Sequence, residues 1–383
     1  MIGVIADDLT GAAEIGAVGL RHGLRAEIVR SGKPGGTADL VCVDTDSRSC
    51  EPAEAAKRAG AAAKMLHAAG ARWIYKKVDS VLRGQVTAEV EAVMKQLKLE
   101  RALLLPANPS LGRTIKDGQY FLRGKPLHKT EFANDPHFPR RSSQVLQLLK
   151  IPERFMLRTV NGDRLLADGA IVIGDAETVA DVAGWTSSCN AQMLPAGGAE
   201  FFNALLMAEN PVDGNGHVSA ELAPGGREFF IVGTSTQAAR KFVVTERQRK
   251  TPVFSLPQEL SWGAEFTAAA VAAVTQRVVA AFDQHTRVVL NVGFPQVRDV
   301  EVARRFSDQV VRVAERVLRQ LKVERVFAEG GATAAELVRR MGWARLSVVR
   351  ELAPGVAMLA VEGDEKFLLT IKPGTYAWPA QWT

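Results

Sequence analysis

The feature that most constrains this chain is a rhythm. Short apolar runs alternate with longer stretches whose apolar positions recur at helical spacing. Such runs, closed by glycine, proline or polar clusters, read as strands buried on both faces, and the stretches between them as the helices that cover those faces. In the first half, strands fall at 3–6, 26–30, 40–43, 73–77, 102–105 and 169–173, with helices at 12–22, 53–69 and 86–97. In the second half, strands at 228–232, 288–292 and 326–328 alternate with helices at 237–248, 264–282, 302–321 and 334–341. Three short strands, 347–349, 356–361 and 367–371, then read as an antiparallel set at a sheet edge. The pattern predicts two α/β domains with largely parallel sheets and an interdomain cleft.

Glycines and prolines break the periodicity between 210 and 227, which places the boundary there: an N-terminal domain over 1–220 and a C-terminal domain over 221–383. The cleft between them is the default ligand site. A second irregular stretch, 106–141, contains Tyr120, Phe121, Phe132 and Phe138, which disorder disfavours, so it reads as an ordered binding loop. The net charge of +6 favours small anions, and no Lys/Arg stripe with interleaved aromatics points to nucleic acid. Cys42, Cys50 and Cys189 form no CxxC spacing, which argues against a disulfide framework or a zinc site and for a reducing, cytoplasmic setting. No basic leader precedes the first strand, and no run approaches the roughly 18 apolar residues of a spanning helix, so no membrane is expected.

Several strand ends carry chemistry. The first runs into Ala6-Asp7-Asp8-Leu9-Thr10-Gly11, placing two carboxylates at the sheet edge where open α/β folds bind ligands. Asp8 or Thr10 would serve as a helix cap, but two adjacent acids exceed what capping requires; Asp7 and Asp8 suit a hydroxyl-bearing substrate as acceptors or base. The third strand leads into Asp44-Thr45-Asp46-Ser47-Arg48. Arg48 stands where a haloacid-dehalogenase-type nucleophile loop needs Thr or Val, so the loop reads as a ligand contact. Next, Lys76-Lys77-Val78-Asp79-Ser80-Val81-Leu82-Arg83-Gly84 sets three cations at a helix start, apt for a carboxylate; a solvated charge run is the bland alternative. Within the long loop, Asn108, His128, Thr130 and Asp135 gather hydrogen-bonding groups on proline-stiffened backbone. His128 and His137 lack partners at metal-ligand spacing, so no metal site is predicted from protein side chains.

In the second half, Gly233-Thr234-Ser235-Thr236 and Glu329-Gly330-Gly331-Ala332-Thr333-Ala334 are strand-to-helix turns of small residues, the arrangement that cradles phosphate. Lys372-Pro373-Gly374-Thr375 would add a glycine and a lysine to the same pocket. None matches the Walker or dinucleotide fingerprint. The turn at 291–295 reads as structural.

Taken in order, these blocks resemble the four-carbon acid sugar kinase family, whose members phosphorylate O4 of threonate, erythronate or 3-oxo-tetronate with ATP. The carriers are ADDLTGA, DTDSR, KKVDSVLRG, PLHKTEFANDP, VGTST, EGGATA and KPG, spread over almost the whole chain. The resemblance implies a sugar-acid domain followed by a nucleotide domain. It implies that Asp8, Arg48, Asp79, Ser80 and Arg83 face the acid, while Ser235, Gly330, Gly331, Ala332, Thr333 and Gly374 contact ATP. Three positions depart from the family pattern: Ala332 replaces an acid, Pro373 a serine and Val81 a threonine. On this reading Lys76, Lys77 and Arg83 fix the carboxylate, Asp7 or Asp8 takes the hydroxyl proton, and Mg²⁺ bridges the phosphates of ATP. Domain closure would then exclude water. The rival class is a non-catalytic sugar-acid or nucleotide sensor on the same fold. Small molecules are the expected partners, with homo-oligomerisation left open.

Overall fold

The computed structural model describes residues 1–135, 138–150, 171–209, 226–257, 266–293, 300–374, 376 and 378–379. Two units, Met1–His217 and Val218–Thr383, are described each by itself. The boundary predicted over 210–227 lies outside the described residues save its last two positions, as do the start of the 169–173 strand, residues 264–265, 294–295, His137 and Thr375.

The first unit is built on β1 (Ile2–Ala6), β2 (Ala26–Val29), β3 (Leu40–Asp44), β4 (Ile74–Lys77) and β5 (Arg101–Leu105). A meander follows, β6 (Arg113–Lys116), β7 (Gln119–Leu122) and β8 (Lys125–Pro126), and then β9 (Ile171–Ile173) and β10 (Met193–Gly197). Its helices are α1 (Leu9–Arg21), α2 (Pro52–Ala68), α3 (Val86–Leu97), α4 (Val145–Leu149), α5 (Val179–Gly184) and α6 (Ala199–Glu209). The sheet order is β2-β3-β1-β4-β10-β5-β9, parallel in every pair. β1 and β3 are buried along their whole length, as strands covered on both faces must be.

Local chemistry sets the helix entries. Asp8 caps α1 by accepting the Gly11 amide at 2.8 Å, and Asp8 rather than Thr10 fills that role. Gly19 lets α1 approach the sheet: a Cβ there would stand 2.3 Å from Leu40 Cδ2. Thr178 and Asp181 form a reciprocal capping box on α5.

Two expectations need correction. The stretch 106–141 is not irregular loop throughout, because β6–β7–β8 pair antiparallel within it. Asp117-Gly118 and Arg123-Gly124, all at positive φ, make the two tight reversals, and Asp-Gly between strands is a recognised hairpin signal. The apolar pattern did not give β10, whose Pro195 is atypical of an interior strand. Its pairing with β4 is confined to Ala196 and Gly197, beyond the residue that lacks a backbone donor.

The second unit carries β11 (Glu228–Val232), β12 (Val253–Ser255), β13 (Arg287–Asn291), β14 (Arg325–Glu329), β15 (Arg345–Ala353), β16 (Val356–Val361) and β17 (Asp364–Lys372). Its helices are α7 (Gln237–Gln248), α8 (Ala268–Ala281), α9 (Val300–Gln320) and α10 (Gly331–Met341). The order is β12-β13-β11-β14-β17-β16-β15, parallel up to β17 and antiparallel from β17 through β15. The predicted antiparallel tail is present, but β17 is interior, flanked by β14 and β16. Phe230 and Phe327 stack at 4.2 Å at the middle of neighbouring strands, and Trp378 meets both edge-on, which forms an aromatic centre to this core. Among the described residues no helix is long and apolar enough to cross a membrane.

Candidate active site

In the first unit β3, β1 and β4 are neighbours, so the loops leaving their carboxyl ends converge. Arg48 arrives from the β3 loop and takes Asp7 with two prongs, Nε at 2.7 Å and Nη2 at 2.9 Å. Its Nη1 reaches Asp8 at 2.6 Å and lies 3.5 Å from Asp79. Arg83 then grips Asp79 with Nε at 2.9 Å and Nη2 at 2.8 Å, and touches Asp135 at 3.2 Å. The result is an alternating ion chain, Asp8–Arg48–Asp79–Arg83–Asp135. Gly84, at φ 85, permits the packing, since a Cβ there would crowd Arg48 Cγ and Asp7 Oδ2 at 3.3 Å each.

The three acids differ in ease of protonation. Burial opposes the charged form of Asp79, but Arg83 and Arg48 outweigh it and hold the carboxyl well below the usual range. Asp7 is likewise held low, because its two-pronged bond to Arg48 overcomes burial. Asp8 goes the other way: burial and the charge of Asp7 push it up, against Arg48 and the Gly11 amide. Asp8 is also the reachable one, with its side chain 19% exposed against 2% for Asp7. Two neighbouring carboxyls driven apart in this way is the pattern of an acid–base site.

The lysines are placed differently from the expectation that both would fix a carboxylate. Adjacent strand residues face opposite sides of a sheet. Lys76 points toward α3 and pairs with Glu89 at 2.9 Å, fully buried; Lys77 points toward α1 and pairs with Glu14 at 3.0 Å. Lys76 is therefore engaged with α3 rather than open at the strand end.

Ser80, half-buried, is tied through its carbonyl to the Tyr120 hydroxyl. Asn108 closes the turn at Pro109 and accepts from Ser110, which also bonds Glu200 of α6. His128 shares a 2.8 Å hydrogen bond with Ser143, and Thr130 caps the short turn Glu131–Asn134. These bonds shape the meander region and its surroundings, and among the described residues none of them is made to a side chain of the ion chain. Sequence reasoning missed Glu14, Glu89 and Arg140. Arg140 donates to the Leu82 carbonyl at 2.9 Å, beside the chain.

In the second unit three turns meet. The Gly233 amide donates to Glu329 O at 3.1 Å, the Gly330 amide to Lys372 O at 2.9 Å, and the Thr236 hydroxyl to Gly374 O at 2.7 Å. Close approach demands the glycines. A Cβ on Gly233 would fall 1.8 Å from Thr333 Oγ1, and one on Gly374 3.0 Å from Thr234 Oγ1. Gly331 and Ala332 open α10, so their amides belong to the unpaired first turn that attracts anions. Ser235 lies half-buried in the neighbouring turn, and Thr333 shares a hydrogen bond with Ser307 at 3.0 Å.

Lys372 does not offer its ammonium to this concavity. It is buried, 3.3 Å from Glu329, and donates to the carbonyls of Pro373 and Tyr376. Trp378 donates to Glu329 at 2.8 Å. Burial raises the Glu329 carboxyl and lowers the Lys372 ammonium, each partly offset by the other. Among the described residues no cluster of His, Cys, Asp and Glu is arranged to hold a metal ion.

The sequence matches a family described as a sugar-binding N-terminal domain over residues 2–205 and one described as a nucleotide-binding C-terminal domain over 229–376. A D-threonate kinase of Salmonella typhimurium LT2 is 26% identical, covering 92% of this chain and 89% of its own. A 3-oxo-tetronate kinase of Pseudomonas savastanoi pv. phaseolicola is 25% identical, covering 98% and 94%. A crystal structure from Salmonella typhimurium LT2, described as a candidate tRNA synthase, superposes with TM-score 0.81 at 20% identity over 100% of this chain and 97% of that one; at that identity the likeness speaks for the fold alone.

Proposed function

The chain belongs to the four-carbon acid sugar kinase family, and from that premise we propose that it transfers the γ-phosphoryl group of ATP to the 4-hydroxyl of a four-carbon sugar acid of the threonate, erythronate or 3-oxo-tetronate class. The sugar acid is assigned to the N-terminal domain, 1–220, and the nucleotide to the C-terminal domain, 221–383. The observation that carries the reading is the ion chain ending at Asp8, whose carboxyl is both the most basic of the pair and the reachable one.

Phosphoryl transfer asks the protein chiefly for position and charge control. The 4-hydroxyl would donate its hydrogen bond to Asp8, which takes the proton as the oxygen bonds to the γ-phosphorus and ADP leaves with the bridging oxygen. Arg48 keeps Asp8 aimed and Asp7 ionised; Asp79 and Arg83 hold the turn that bounds the sugar. On the nucleotide side the amides of Gly330, Gly331, Ala332 and Thr333, with Ser235 and Gly374, would receive the phosphates. Among the described residues the donor set there is hydroxyls and amides without a carboxylate cage, which fits Mg²⁺ brought in on ATP and neutralising its phosphates.

The test is ADP release from purified protein with MgATP against a panel of D- and L-threonate, D- and L-erythronate and 3-oxo-tetronates. Turnover with at least one acid is the expected outcome. Ligand-dependent melting without ADP from any of them would replace the kinase reading with the sensor.

A further inference from the structure

Among the described residues, the cations of the Asp79–Arg83 turn, its strand and the Arg48 loop are matched with carboxylates, and one that touches the turn is not. Arg48 has Asp7 and Asp8, Arg83 has Asp79 and Asp135, Lys77 has Glu14 and Lys76 has Glu89. Arg140 has no carboxylate partner among the described residues. It is only 8% exposed. Its Nη1 donates to Leu82 O at 2.9 Å and its Nε to Phe138 O at 2.8 Å, with the guanidinium 5.9 Å from the Phe138 ring centre. Carbonyls and a ring satisfy donors without neutralising the charge. Burial accordingly lowers its pKa, and Asp79 and Asp135 compensate only in part.

Position completes the case. Leu82 sits at φ 62, a left-handed conformation uncommon for a branched side chain, inside the turn that joins Asp79 to Arg83. By holding that carbonyl, Arg140 is stationed beside the middle of the ion chain. An anion entering there meets Asp7, Asp8, Asp79 and Asp135, whose repulsion requires a cation not yet committed to a protein acid. A buried guanidinium without a counter-ion is costly until a ligand supplies one, and its planar fork matches a carboxylate.

We propose that Arg140 receives the carboxylate of the sugar acid and is the residue that selects an acid over a neutral polyol. The assignment rests on the reading that this site binds a four-carbon sugar acid.

The test compares wild type, Arg140→Met and Arg140→Lys with the best acid of the panel and with its neutral amide. Two measurements are made: ligand-dependent melting without nucleotide, and turnover with MgATP. Arg140→Met should weaken the acid about 10- to 100-fold while leaving the amide and the KM for ATP unchanged. Arg140→Lys should recover part of the loss, since it restores charge without the fork. Equal losses for acid and amide would reduce Arg140 to a clasp on the Leu82 turn, and an unchanged acid affinity would remove it altogether; either overturns the proposal. Melting of the unliganded variants monitors folding, and if Arg140→Met does not fold, Arg140→Lys carries the same acid-against-amide comparison. Should wild type bind the acid yet release no ADP, the kinase reading fails while the Arg140 assignment is still decided by binding. Should it bind no acid at all, both fall.

Discussion

On the proposed reading, the two candidate seats would hold their ligands by opposite means. The first is framed by ionised side chains, Asp8, Arg48, Asp79, Arg83 and Asp135, paired with one another. The second would be formed by backbone amides at glycine turns, while the Glu329–Lys372 pair is buried beside them. The contrast teaches what each tolerates. A side-chain seat responds to pH and to loss of a charge; a backbone seat is indifferent to both and fails when a methyl group is added.

The largest effect that would sharpen this contrast is expected from Asp8→Asn. Asparagine still caps α1, so the protein should fold, while turnover falls about 10²- to 10⁴-fold with little change in the KM for ATP. The same experiment has a pH arm. Asp8 is raised above the ordinary carboxyl value, and a base must be ionised to accept a proton. Wild-type kcat should therefore fall as pH drops through that raised value, and this acid limb should vanish in Asp8→Asn. An unchanged profile would break the comparison.

Next comes Arg48→Met, which strands Asp7 as a buried carboxylate without its two-pronged counter-ion and takes from Asp8 its closest cation, while Asp79 keeps Arg83. Urea unfolding should report a loss of about 3–5 kcal/mol, since breaking a buried ion pair from one side leaves an uncompensated charge. A loss below about 1 kcal/mol would mean the ion chain is not holding the turn. Gly233→Ala is its counterpart in the other unit. The added methyl cannot fit beside Thr333, and overpacking of this kind costs about 1–3 kcal/mol. The KM for ATP should rise with no change in the KM for the acid. The smallest effect belongs to Ser235→Ala, where loss of one hydroxyl contact should raise the KM for ATP about 2- to 10-fold.

How much of this was legible in the sequence depends on the reach of each signal. The parallel core was legible because buried strands such as 40–43 and 228–232 carry their pattern within a few residues. The meander was not read, because its strands are only two to four residues long and stand among prolines, although Asp117-Gly118 marks one of its reversals. Strand β10 was not read either, and the missing donor of its Pro195 does no harm where pairing with β4 has not yet begun. For the site, the right segments could be named because strand ends are marked by local motifs. The partners could not: whether Lys76 meets Glu89 and Lys77 meets Glu14 depends on which face of which helix lies opposite. Strand alternation sets the two adjacent lysines on opposite faces, which the expectation that both fix one carboxylate did not take into account. Arg140 carried no local signal, because its isolation is a property of everything around it.

One topological detail bears on how the protein comes into being. β10 lies between β4 and β5, although the chain makes it about ninety residues after β5. At roughly 5–20 residues per second on the ribosome, β4 waits on the order of 6–24 seconds for that neighbour. Throughout the wait, one hydrogen-bonding flank of β4 lacks its neighbour, although Glu14 and Glu89, the partners of its two lysines, have already been made. An unpaired strand edge is a template for wrong pairing, so the interval between Lys77 and Gly197 is a stretch of synthesis in which this fold is open to edge-to-edge association.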